Sequence, residues 1–271
     1  MKTHSFRATD GMVLNCLDYG GEGRVPILFV HGGSAHAHWW DFVAPAFTDR
    51  FHVLALDQRG HGESPWSREW AYGTRHYIAD LEAIISSWDF GAPILAGHSM
   101  GGHNVMVYAG GHSEFLRAMI AIDSPATYPE YAVKSLRGMA ERPARRFDTL
   151  ADACAAFRTI PGESKAKPEV MAHIARNSFR QDADGKWIHK MDRRTMIREP
   201  ISAWRGLSNI ECPALFVRAG NSALAMEHTL EIAAKMPKGR HTIVPDCFHH
   251  VMLDNPEGLI AVLDEFLDGL G

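Results

Sequence analysis

Gly97-His98-Ser99-Met100-Gly101 is the stretch of this chain best suited to chemistry. A serine hydroxyl attacks well only when a base takes its proton and a third group orients that base. The G-x-S-x-G spacing serves this purpose at a strand-to-helix corner, which strains the serine backbone and lifts its hydroxyl clear of the sheet. The residues two before and two after then crowd that backbone and must lack side chains. Both are glycine here, and Gly102 adds room for the helix to pack on the strand. The flanks agree with such a corner. Pro93-Ile94-Leu95-Ala96 reads as a short buried strand, and the stretch from Met100, with Val105 and Tyr108 spaced for one face, reads as a helix. The pentapeptide alone is weakly specific, and its neighbours give it content.

The elements that must hold this corner alternate along the chain. Ser5–Asp18 reads as two strands around a Thr9-Asp10-Gly11 turn, and 25–30 as a strand buried on both faces. His31-Gly32-Gly33-Ser34 follows, then a helix carrying Trp39, Trp40, Phe42 and Val43, then the strand His52–Leu56. Residues 74–90 place Tyr77, Leu81, Ile84, Ile85 and Trp88 at helical spacing, and Arg117–Asp123 is an apolar strand closing on an aspartate. Strands alternating with helices predict a doubly wound, mostly parallel α/β sheet. The alternation breaks between about 124 and 208, where helical pieces are expected at 131–140, 149–157 and 168–178 with no buried-strand run. It resumes with Pro213–Val217, a helix over 226–236, the strand His241–Val244, and a final helix after Pro256, which suits a helix start.

Over nearly its whole length the chain resembles the α/β-hydrolase superfamily. Asp57-Gln58-Arg59-Gly60-His61-Gly62-Glu63-Ser64 is similar to that superfamily's D-x-R-G-x-G-x-S segment. The resemblance implies an α/β-hydrolase core over 1–124 and 209–271, with 125–208 as a helical cap inserted after the sixth strand. It also implies a triad in the order serine, acid, histidine. Sixteen histidines compete for the base. His249 is the candidate because Val244-Pro245 and Leu253-Asp254-Asn255-Pro256 around it resemble the family ending V-P-x-x-x-H-x-x-x-L-D-x-P; His250 is the runner-up. The family's usual glycine before this histidine is Phe248 here. The acid departs further. The family's G-x-x-D after the seventh strand reads Gly220-Asn221-Ser222-Ala223, and alanine cannot orient an imidazole. A minority of the family carries the acid after the sixth strand, which makes Asp123 the candidate and Asp246 and Glu227 its rivals. The oxyanion-hole donors implied are the backbone N–H groups of Met100 and of Gly33, the residue after the H-G pair.

Net charge −4 and a pI near 6.5 leave no basic footprint for nucleic acid and no polybasic membrane patch. No signal-peptide h-region or apolar span stands out, and four scattered cysteines suggest neither zinc ligation nor a disulfide framework. A reduced cytoplasmic setting and a small-molecule substrate are therefore expected. His36 and His38 lack a third spaced ligand, and no metal or organic cofactor is expected. Arg142, Arg145 and Arg146 could meet an anionic substrate. The reading that follows is a carboxylesterase-like serine hydrolase working through an acyl-enzyme. Amide or C–C hydrolysis on the same triad, cofactor-free oxygenation, and a non-catalytic receptor are the alternatives. Substrate-binding residues and oligomeric state are not legible.

Overall fold

The computed structural model describes residues 2–88, 91–197 and 201–270. Strands β1 (Lys2–Arg7) and β2 (Val13–Gly20) form an antiparallel hairpin, with Gly11 at φ +85° in its turn. Then come β3 (Pro26–Val30), β4 (His52–Leu56), α1 (Thr74–Ser86), β5 (Ile94–His98), α2 (Met100–His112) and β6 (Ala118–Ile122). The next stretch holds α3 (Glu130–Ala140), β7 (Arg146–Phe147), α4 (Leu150–Ala156), α5 (Pro168–Asn177), β8 (Phe179–Gln181) and β9 (Trp187–His189). The chain ends with β10 (Ala214–Ala219), α6 (Met226–Lys235), β11 (Gly239–Val244), α7 (Val251–Asp254) and α8 (Pro256–Asp268).

Among the described residues eight strands make one sheet in the order β1-β2-β4-β3-β5-β6-β10-β11, parallel from β4 onward. Every residue of β3, β4, β5, β6 and β10 is buried, as a sheet covered on both faces requires. Alternate side chains feed two separate cores. Ile27, Phe29, Ile94 and Ile120 join the 3-10 turn Ala37–Trp40, α5 and α8 on one face; Leu28, Val30, Leu95 and Met119 join α1, α2 and α6 on the other. Helix α2 is apolar nearly all round because it is buried nearly all round.

Three sequence expectations need amending. The helix expected at Trp39–Val43 is two 3-10 turns, Ala37–Trp40 and Ala44–Phe47; Pro45 has no N–H to continue a helix from the first into the second. The helix expected to reach Phe90 ends at Ser86, and Asp89 and Phe90 lie outside the described residues. Segment 125–208 contains its three expected helices and also a three-stranded antiparallel sheet, β7-β9-β8. Those strands span two or three residues each, too few to show a period of two in sequence.

Candidate active site

Ser99 sits between the end of β5 and the start of α2 with φ 52° and ψ −115°, a strained conformation for a residue bearing a side chain. Ser99 N–H donates to Ile122 O at 3.0 Å, and His103 N–H donates to Ser99 O at 2.9 Å. The glycines around it are obligatory. A Cβ on Gly97 would lie 2.4 Å from Gly101 O, and one on Gly101 2.3 Å from Val30 O. One on Gly102 would lie 1.9 Å from Ser124 Oγ, which itself donates to Ser99 O.

His249 Nε2 lies 2.9 Å from Ser99 Oγ, and His249 Nδ1 lies 2.8 Å from Asp123 Oδ2. A carboxylate only accepts, so the imidazole proton is on Nδ1 and Nε2 is free to take the serine proton. The Asp123 side chain is 1% exposed and that of His249 19%, so the hydrogen-bonded path is shielded at one end and reachable at the other. Asp123 follows β6 directly, at φ 44°, and its second oxygen accepts Ala219 N–H at 3.0 Å. The end of β10, where the family usually carries its acid, thus contributes a backbone donor to an acid on the neighbouring strand. The rivals stand elsewhere. Asp246 is 87% exposed beside Lys165, and Glu227 is an exposed residue of the first turn of α6.

The loop carrying His249 is fixed from three directions. Phe248 N–H donates to Asp254 Oδ2 at 2.8 Å, and Asp254 Oδ1 accepts from Ser164 Oγ and Lys165 N–H. The left-handed residue of this loop is Asp246 at φ 56°, so Phe248 in place of glycine needs no unusual backbone. His98 Nε2–H donates to His249 O at 2.8 Å with the two rings 4.7 Å apart, and burial pushes the His98 imidazole well below its usual pKa. His250 donates its Nε2–H to Pro161 O at 2.9 Å; burial, then the neighbouring His249, lowers it to about 3. His250 Nε2 is therefore engaged by segment 125–208.

Gly32 brings the expected oxyanion loop against Ser99, since a Cβ there would lie 3.1 Å from Ser99 Cβ. Met100 opens α2, and the first N–H groups of a helix have no acceptor within it. Sequence reasoning missed the clamp on this loop. Gln58 N–H donates to His31 Nε2 at 3.0 Å, Gln58 Nε2 donates to His31 O at 2.6 Å, and Asn104 Nδ2 donates to Gln58 Oε1 at 2.9 Å. Burial keeps the His31 imidazole below its usual pKa, as its accepting Nε2 requires. The Asp57 segment acts as a strut: Asp57 accepts from Ala37 N–H and Glu63 N–H, and buried Arg59 forks onto Asp80 of α1. The adjacent D-x-R-G pattern was the signal that could have drawn attention to Gln58.

Arg146 is engaged by Asp182 and Asp184, Arg145 covers the Phe147 ring, and Arg142 stands near Arg193. A hollow of about 410 Å³ lined by Phe157, Met171 and Arg176 lies between α4 and α5 and includes none of the candidate site residues. Among the described residues no helix is long and apolar enough to cross a membrane.

With this geometry in hand, comparison with known proteins is informative. A family model described as the alpha/beta hydrolase fold matches residues 25–256. A 2-(acetamidomethylene)succinate hydrolase of Mesorhizobium japonicum is 26% identical over 256 residues, 91% of this chain and 90% of that protein. An esterase of Mycobacterium tuberculosis is 25% identical over 271 residues, 94% of this chain and 86% of that protein. The crystal structure of an E-2-(acetamidomethylene)succinate hydrolase superposes with a TM-score of 0.85 at 22% identity, covering 98% of this chain and 99% of that one.

Proposed function

The chain belongs to the α/β hydrolase family, and on that footing we propose that it is a serine hydrolase acting on a small carboxylic ester. The observation that carries this reading is the continuous hydrogen-bonded path from Ser99 through His249 to Asp123. Ser99 Oγ attacks the ester carbonyl while its proton passes to His249 Nε2, and Asp123 stabilises the imidazolium that forms. The N–H groups of Gly33 and Met100 hold the tetrahedral oxyanion. Collapse expels the alcohol with the proton returned by His249, leaving an acyl-serine. Water then attacks that ester, deprotonated by the same imidazole, and the acid departs.

In this reading segment 125–208 is the cap over the acyl pocket, anchored to the base loop where Ser164 and Lys165 meet Asp254. Four free thiols suit a reducing compartment, and we place the enzyme in the cytoplasm. A second reading, amide hydrolysis with the same three residues, is favoured by the relative whose name carries an acetamido group. The test is turnover of p-nitrophenyl acetate, p-nitrophenyl butyrate and p-nitroacetanilide by wild type and Ser99→Ala. Ester turnover that falls about 10⁶-fold in the variant is expected. Activity that survives the substitution refutes attack by this serine, and preference for the anilide selects the amide reading. No turnover by the wild type would point instead to a non-catalytic receptor.

A further inference from the structure

Away from the candidate active site, two histidines from distant parts of the chain meet at one carboxylate oxygen. His38 Nδ1 lies 2.9 Å and His173 Nε2 lies 2.7 Å from Asp41 Oδ2. The other Asp41 oxygen accepts Tyr19 O–H at 2.5 Å. His38 belongs to the 3-10 turn Ala37–Trp40 and Asp41 directly follows it. Residues three apart eclipse on such a turn, so both side chains leave on the same side. His173 comes from α5, in segment 125–208. The side chains are 22%, 15% and 40% exposed, so the cluster is half-sheltered and open to solvent. The H-A-H pair is not the relevant one: His36 is buried and donates Nε2–H to Ser178 Oγ at 2.9 Å.

We propose that His38, Asp41 and His173 form a binding site for a divalent transition-metal ion of the zinc class, which pins α5 to the core. The donor set is two imidazole nitrogens and one carboxylate oxygen, their ligating atoms all within 4.8 Å of one another. Zinc takes such ligands at about 2.0–2.2 Å in tetrahedral geometry, which sets donors about 3.3 Å apart. The two oxygen–nitrogen separations, now 2.7 and 2.9 Å, open by about half an ångström and the two imidazole nitrogens come to the same spacing when the ion enters. The protons now shared with Asp41 move to the opposite ring nitrogens, and water fills the fourth position. Tyr19 supplies the outer hydrogen bond that ligating carboxylates usually carry. Asn177 Nδ2 donates to His173 O at 3.0 Å and stands 3.5 Å from His173 Nε2, a neighbour that the entering ion displaces. The inner side of the same turn presents Trp39 edge-on to His250, at 5.0 Å between ring centroids, so an ion here braces the turn that backs the base loop.

His98, His249 and His250 form a competing set of nitrogens at the candidate active site, so the test must tell the two apart. The chelator-treated full chain is titrated with ZnCl₂ by calorimetry, with thermal melting in parallel, for wild type, His38→Gln and His173→Gln. Wild type is expected to bind at micromolar concentration and to melt higher with zinc. Each variant is expected to weaken this binding about 100-fold or more and to lose the gain in Tm, and Tyr19→Phe to weaken it about 10-fold. Any zinc inhibition of ester turnover that persists in His173→Gln reports the other set. A zinc-soaked crystal needs no variant: an anomalous peak among His38, Asp41 and His173 supports the site. No binding up to about 1 mM, unchanged affinity in both glutamine variants, or a peak only at the other histidines overturns it.

Discussion

The central sheet and segment 125–208 are built on different terms. Strands β3 to β6 and β10 bury every residue, whereas α3 buries none and β7 to β9 pair over two or three residues. Left-handed backbone at residues with side chains falls at Ser34, Ser99, Asp123 and Asp246, in turns that follow strands of the sheet, and at Trp70; none falls among the described residues of segment 125–208. Strain of about 1–3 kcal/mol per residue persists only where surrounding packing over-determines it. The difference teaches where each task can reside. The relay proposed for Ser99, His249 and Asp123 works at hydrogen-bond distances and needs the rigid sheet edge, while a cap, as proposed for the segment, can vary to suit a substrate.

Substitutions on the two sides should separate them. Asp123→Asn leaves the fold but presents the wrong tautomer to Ser99, and kcat is expected to fall about 10⁴-fold on p-nitrophenyl esters. Asp246→Asn, an exposed side chain, should stay within about twofold of wild type. If only the second variant is inactive, the acid has been misassigned. Glycines give the next contrast. Gly102→Ala forces a Cβ to 1.9 Å from Ser124 Oγ and 2.6 Å from Gly97 O, and should cost about 3 kcal/mol or more by urea unfolding. Gly138→Ala in α3 meets nothing within 4 Å and should stabilise by about 0.5–1 kcal/mol. Equal effects would erase the distinction.

Proton uptake sharpens it further. Burial holds His31, His36, His98 and His250 of the core below the usual histidine pKa, and His189 of the segment at about 4. As the pH falls below about 6.5 the unfolded chain takes up protons that these folded imidazoles refuse, so stability is full above that pH and is lost below it. The loss continues toward about 4 for His189 and about 3 for His250. Between pH 7.5 and 5.5 each strongly shifted imidazole should cost on the order of 1 kcal/mol, read by urea unfolding. His189→Gln should leave most of that slope, because four of the five groups lie in the core.

What the sequence could say follows the same division. Wholly buried strands are continuous apolar runs, and the serine corner is encoded by closely spaced glycines, so the sheet and the strained corner at Ser99 were legible. That His249 and Asp123 would stand together was suggested by the resemblance alone, since no spacing relates residues 126 positions apart. The Gln58–Asn104 clamp and the small sheet were not. The first depends on side chains meeting across elements, and the second on strands too short to leave a pattern. The trio at Asp41 was hidden for the same reason: His173 lies 132 residues away.

The relay itself is tested most directly with a fluorophosphonate, which bonds only to an activated serine. Intact mass should rise by one adduct, peptide mapping should place it on Ser99, and His249→Ala should abolish it. An adduct on another residue, or labelling that ignores the loss of His249, would contradict the account.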